Sequence, residues 1–194
     1  MKIYDISQEL FSCCVFPGDP APARERVLEI KKGDSCNLTS LSMCAHNGTH
    51  VDAPYHFYAD GKTVDQLDLS KLVGEAQVIA FDGELSGEDM ERLLCGAPPR
   101  ILLKGKAVVT LEAAKAMNRH GVVLVGVESQ TVGPEDGPRA VHLELLGQEV
   151  VLLEGIRLGE VPEGKYLLNA APLNLGGADG APCRALLLSM DEGA

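Results

Sequence analysis

The sequence contains no tryptophan, and its aromatic residues amount to only 4%. Large stacking surfaces are scarce, so an aromatic substrate would have to rely on a few Phe or Tyr rings. Basic residues are also few: 17 Lys and Arg stand against 28 Asp and Glu, a net charge of −11. That balance argues against nucleic acid as a partner and suits a soluble, acidic surface. No apolar run approaches the roughly 18 residues of a membrane span, and no charged-then-apolar leader opens the sequence. The expectation is a cytoplasmic protein that is neither secreted nor membrane-bound. Six cysteines are scattered without a C-x-x-C pair. A disulfide framework would be denser in a smaller chain, so free thiols are expected. Cys44, close to the histidines described next, reads as a small buried hydrophobe.

What the chain does have is a cluster. Three of its five histidines fall in the window from Cys44 to Phe57, at His46, His50 and His56, with Asp52 among them. These are ligand types for a first-row divalent cation. A helix would place His46 and His50 on one face, as in H-E-x-x-H metalloproteases. Asn47 replaces the required Glu, Gly48 weakens a helix and Pro54 ends one, so that reading fails. On a strand, His50 and Asp52 project to the same side, roughly 7 Å apart at the backbone. Gly48 would bend the chain so that His46 returns to the same point. Pro54 would end the strand and carry His56 across the mouth of the site.

With 194 residues, 45% of them apolar, the chain suits one domain with a sizeable core, spanning 1–194. The front half reads as β-rich: a strand at Lys2–Ile6, a turn at Phe16–Pro20, and extended segments over 25–31 and 38–44. Alternating strands and helices follow. Strands are expected at Ala76–Phe81, Ile101–Lys104, Val122–Val127, Val150–Leu153, Lys165–Asn169 and Ala185–Ser189. Helices are expected from a Ser86 cap to about Cys95, from a Thr110 cap to about His120, and from Pro138 or Arg139 to Leu146. The pattern gives an α/β fold with a mixed sheet.

The cluster needs further ligands. His142 sits among apolar residues of the last helix, so it faces inward, either as a packed core side chain or toward a cleft. Glu144, Glu149 and Glu154 are the carboxylates nearby. Glu154 ends a buried strand, where α/β proteins place active-site groups. His120, at a helix C-terminus, serves the helix dipole and has no assigned role. The glycine-rich 176–180 stretch lacks the context of a dinucleotide loop.

These residues resemble the metal-dependent cyclase-like hydrolases, whose members include the kynurenine formamidases of tryptophan catabolism. The resemblance rests on Asp5-Ile6-Ser7, on Phe16-Pro17-Gly18-Asp19-Pro20, and above all on His46-x-Gly48-Thr49-His50-x-Asp52-x-Pro54-x-His56. The spacing of His142 and Glu154 and the stretch Asp179–Arg184 extend it over nearly the whole chain. It implies a compact, single-domain β/β/α fold and a homodimer or homotetramer. It also implies a first metal on His46, His50 and Asp52, and a second on Asp52, Glu154 and His142. His56 would then be the proton-transfer residue. Such His and carboxylate sites accept Zn, Mn, Fe or Co; Zn or Mn is expected, with one or two ions per subunit.

Position 16 is Phe where the formamidases carry Trp, which makes Phe16 a candidate substrate contact, with Tyr55 a further one. The expected activity is hydrolysis of a C–N bond in a small amide or formamide. Lactone hydrolysis, cyclisation or dehydration on the same site is the alternative. A non-catalytic metal-binding protein is a third reading, which the presence of His56 argues against.

Overall fold

Consecutive apolar residues of a strand point to opposite faces, and that period of two sorts them onto two cores. The computed structural model describes residues 1–189. It opens with β1 (Ile3–Asp5), β2 (Ala23–Leu28), β3 (Leu38–Ser42) and β4 (His50–Asp52). Then come α1 (Leu69–Leu72), β5 (Val73–Ala80), β6 (Gly83–Leu85), α2 (Gly87–Leu93), β7 (Arg100–Lys104) and β8 (Ala107–Val109). The rest is α3 (Leu111–Arg119), β9 (Leu124–Val127), α4 (Arg139–Leu146), β10 (Val151–Glu154), β11 (Gly164–Asn169), β12 (Gly180–Pro182) and β13 (Leu186–Ser189).

Nine strands form one sheet in the order β1-β13-β11-β5-β7-β9-β10-β4-β12. The central four, β5, β7, β9 and β10, run parallel. Both wings are antiparallel, with β4 and β12 on one side and β11, β13 and β1 on the other. This is the mixed α/β sheet that the sequence pattern called for.

Ile101, Leu103, Val125 and Leu152 turn to one face, where they pack with Met90, Ala113, Met117, Val141 and Leu145 of α2, α3 and α4. Leu102, Leu124, Val151 and Leu153 turn to the other face. There they meet Val51, Ala181, Leu168 and Leu187 from both wings, so the sheet curls around that second core. Each fully buried Leu contributes about 1.5–3 kcal/mol relative to exposure.

The local signals explain the helices. Ser86 and Asp89 form a reciprocal capping box at α2, and Thr110 caps α3 by accepting from the Ala113 N–H. The boundaries shift by a few residues. The expected 25–31 segment is a strand only to Leu28, followed by a 3-10 turn at Ile30–Lys32. Glu154 is the last residue of β10 rather than the residue after it. β6, β8, β12 and α1 are additional. The first three are three-residue strands too short to carry a period, and pairing with distant partners makes them. All six cysteines stand free, and Cys44 is half-buried. No helix of the described residues is long and apolar enough to cross a membrane.

Candidate metal centre

β4 lies between β10 and β12. Val51 enters the curled core, so His50 and Asp52, one residue to either side, face the helices. The register sets His50 opposite Glu154 and Asp52 opposite Leu152. Cross-strand partners share a face, which brings Glu154 beside the two β4 side chains. α4 lies over this face and buries His142 together with Val141, Leu145 and Leu146. β4 thus converges with α4 and β10, which come much later in the chain. His50 Nε2 lies 3.4 Å from Asp52 Oδ1 and 3.3 Å from Glu154 Oε2. His142 Nε2 lies 3.2 Å from Glu154 Oε1 and 3.6 Å from Asp52 Oδ2.

His46 reaches the same point by a turn. The Asn47 side chain accepts from the Cys44 N–H, and Gly48 takes a left-handed φ of 68°. His46 Nδ1 then stands 2.8 Å from Asp52 Oδ1. Gly180, opposite Asp52, leaves room for this ring, since a Cβ there would come within 2.8 Å of His46 Cε1. The hydroxyl of buried Thr49 donates to the Gly155 carbonyl at 2.7 Å, tying the entry of β4 to the end of β10. Beyond β4, Pro54 opens a 3-10 turn that carries His56 back, its ring centroid 4.1 Å from that of His46.

The hydrogen bonds fix the tautomers. His50 Nδ1 donates to the Gly48 carbonyl and His142 Nδ1 to the Pro138 carbonyl, both at 3.0 Å. Each Nε2 is thereby turned to the cluster, as in histidines that ligate metals. His50 Nε2 and Asp52 Oδ2 are buried without a hydrogen-bond partner, a costly arrangement unless something else satisfies them. The donor set fits a divalent cation. Two donors each about 2.1 Å from an ion at a tetrahedral angle stand about 3.4 Å apart, close to the separations above. His50, Asp52 and Glu154 form one group of potential ligands, and His46, Asp52 and His56 form another. Asp52 belongs to both.

The electrostatics follow from this crowding. Burial disfavours the Asp52 carboxylate, but His142, His46 and His50 outweigh it and hold its pKa well below the usual range. Burial likewise opposes a charged His46, yet Asp52 and Asp179 carry it to about 9. His142 is carried to about 10 by Asp52 and Glu154, again against burial. His50 is raised well above the ordinary value by the same two carboxylates. A cation taking these nitrogens must displace protons, so its binding tightens as pH rises.

Asp179, just ahead of β12, opens the Asp179–Arg184 stretch of the resemblance, but the sequence assigns it no role at the site. Its Oδ2 lies 2.9 Å from His46 Nε2 and 3.2 Å from His56 Nδ1. Only the pairing of β12 with β4 brings it there, so spacing along the chain could not show it. Phe16 lines the cleft of about 180 Å³ in front of the cluster, together with His56 and Phe57. Tyr55, 42% exposed, does not line it. Outside the cluster, His120 pairs with Glu91, Glu144 accepts from Asn118, and Glu149 pairs with Lys62 and Lys71.

The chain is similar to known proteins over most of its length. The family model described as a putative cyclase matches residues 4–134. The match takes in His46, His50, Asp52 and His56 and ends before His142 and Glu154. A solved structure described as a potential metal-dependent hydrolase with cyclase activity is 27% identical, with a TM-score of 0.86 over 98% of this chain and 99% of that one. A predicted metal-dependent hydrolase from Bacillus stearothermophilus is also 27% identical, with a TM-score of 0.81 over 96% and 97%. Isatin hydrolase A from Labrenzia aggregata shares the fold at 23% identity, with a TM-score of 0.85 over 98% and 94%.

Asp179 bonds the nitrogen of His46 that points away from Asp52, and such carboxylates orient ligating histidines. Asp179→Asn is expected to weaken retention of a divalent metal by about 10- to 100-fold with the fold intact. Chelator competition on the two proteins measures this, and equal retention would remove Asp179 from the site.

Proposed function

The chain belongs to the cyclase family, and from that premise we propose that it is a metal-dependent hydrolase cleaving the C–N bond of a small amide or formamide. The observation that carries the reading is the buried Asp52 carboxylate, with nitrogens of His46, His50 and His142 at 2.8, 3.4 and 3.6 Å from its oxygens. His46, His50 and Asp52 would hold one cation, and His142 and Glu154 with Asp52 a second. Zinc or manganese suits this nitrogen and oxygen set. A bound cation supplies the charge that lowers the pKa of water and polarises the substrate carbonyl.

The residues around it do the rest. Asp52, kept ionised by its histidines, supplies negative charge between the two ligand groups. His56 is part-exposed at the cleft, and Asp179 holds its Nδ1. Its Nε2 is the atom left to take a proton from the attacking water and return it to the leaving nitrogen. The water oxygen bonds to the carbonyl carbon, the C–N bond breaks, and the amine leaves neutral. Phe57 and His142 flank the His56 ring at 4.7 and 6.3 Å between centroids and limit its swing.

His56→Ala is expected to keep its metal and lose about 10²- to 10⁴-fold in kcat. Loss of metal in that variant would make His56 a ligand and leave the proton carrier to be sought elsewhere.

Phe16 sets the substrate side. A phenyl ring covers less of a flat aryl substrate than an indole, at roughly 25 cal/mol per Å² of lost contact. N-formylkynurenine should therefore be a poor substrate, with a smaller amide, lactam or lactone turned over better, and Phe16→Trp should raise its kcat/KM. A value of about 10⁴ M⁻¹s⁻¹ or more in the natural protein would restore a plain formamidase.

A further inference from the structure

The cleft in front of the cluster, about 180 Å³, is small beside the roughly 300–1,000 Å³ usual for ligand pockets. Phe16, Gln130 and Thr131, which line it, also line a second cavity of about 320 Å³. Gln130 is held in place there, accepting from Gln8 Nε2 at 2.7 Å and donating to the Cys14 carbonyl at 3.1 Å. A small molecule with its reacting group at the cluster and its apolar part against Phe16 would have to pass that ring to reach this annex.

Arg157 lines the annex. It follows Glu154 by three residues, so the two Cα atoms are at most about 11 Å apart. Its Nη1 donates to the carbonyls of Ile156 at 2.8 Å and Glu128 at 3.0 Å, with Gly155 at 3.5 Å. Those bonds fix the plane of the guanidinium. Its Nη2 finds only the Cys14 sulfur, at 3.7 Å. Among the described residues no carboxylate lies within ion-pair distance of it.

Glu128 lines the same cavity, but its two oxygens are engaged by the backbone N–H groups of Leu158 at 2.8 Å and Gly105 at 2.7 Å. Glu135, also in the lining, is exposed to solvent. In a chain with net charge −11, a half-buried guanidinium without a carboxylate partner, facing a cavity, is a receptor for an anion. Its planar donor edge matches a carboxylate.

We propose that the annex is a carboxylate-binding subsite, and that the substrate is a small amide or lactam bearing an acidic group which Arg157 binds. The proposal rests on the hydrolase reading for what happens at the other end of the molecule, but the subsite can be tested without turnover. The probes are benzoate and benzamide, which match in ring and size and differ in charge. Their dissociation constants are measured by calorimetry on the metal-loaded protein, on Arg157→Met and on Arg157→Lys.

Benzoate is expected to bind the natural protein at least about tenfold more tightly than benzamide, as a charge-assisted pair gives. Arg157→Met should abolish that preference while leaving benzamide binding in place. Arg157→Lys, which keeps a donor for the loop carbonyls but not the planar fork, should retain only part of it; this variant decides the matter if the Met variant does not fold. No preference in the natural protein, or one that survives both substitutions because benzoate sits on the metal, would overturn the subsite. A preference that tracks Arg157 in a protein inert toward every amide would leave the subsite standing and defeat the hydrolase reading alone.

Discussion

A carboxylate buried to 1% exposure, at Asp52, is the constraint on which this structure turns. Removing an ionised group from water costs several kcal/mol unless partners surround it. The fold answers with histidines from three directions: His46 from the preceding turn, His50 from its own strand and His142 from α4. The register of β4 against β10 then adds Glu154 and leaves the cluster with acceptors and cations in close balance. Such a set is weak evidence for stability and strong evidence for a site, because hydrophobic side chains could fill the same volume at less cost.

The architecture supplies rigidity around that point. β4 has a paired neighbour on either side, the parallel centre of the sheet stands behind it, and α4 covers it. Thr49 and Gly155 lock the two strand ends together. The parts left more open are those a substrate would meet: His56 on its 3-10 turn, Phe16 on the long segment before β2, and Asp179 at the sheet edge. His50, Asp52, His142 and Glu154 thus sit on regular elements, while His46, His56 and Phe16 sit on turns and connecting segments, where side chains can be aimed without disturbing the sheet.

Much of this was legible in the sequence, for identifiable reasons. The alternating half could be read because Ser86 and Thr110 announce helix starts and the strands between are continuous apolar runs. The cluster could be read because Gly48 and Pro54 punctuate a strand whose alternate residues are His and Asp. Its place at the end of a buried strand favours Glu154 over Glu144 and Glu149, and the structure sets it opposite His50. What is not legible depends on pairing between distant segments. β12 carries Pro182 and three residues in all, so no period marks it, and without its register Asp179 has no visible link to His46. Arg157 is similar: nothing local shows that a basic residue three positions past Glu154 lines a cavity shared with Phe16.

Everything proposed for the site requires that Asp52 organise a divalent cation. The direct measurement is elemental analysis of the purified protein and of Asp52→Asn, which keeps the side-chain shape, each after metal loading and dialysis at pH 8 and pH 6. The natural protein should retain stoichiometric metal at pH 8 and less at pH 6, where protons compete more strongly for His46 and His142. Asp52→Asn should retain none at either pH while remaining folded. Full metal content in the variant, or a natural protein that holds no metal at pH 8, would contradict it.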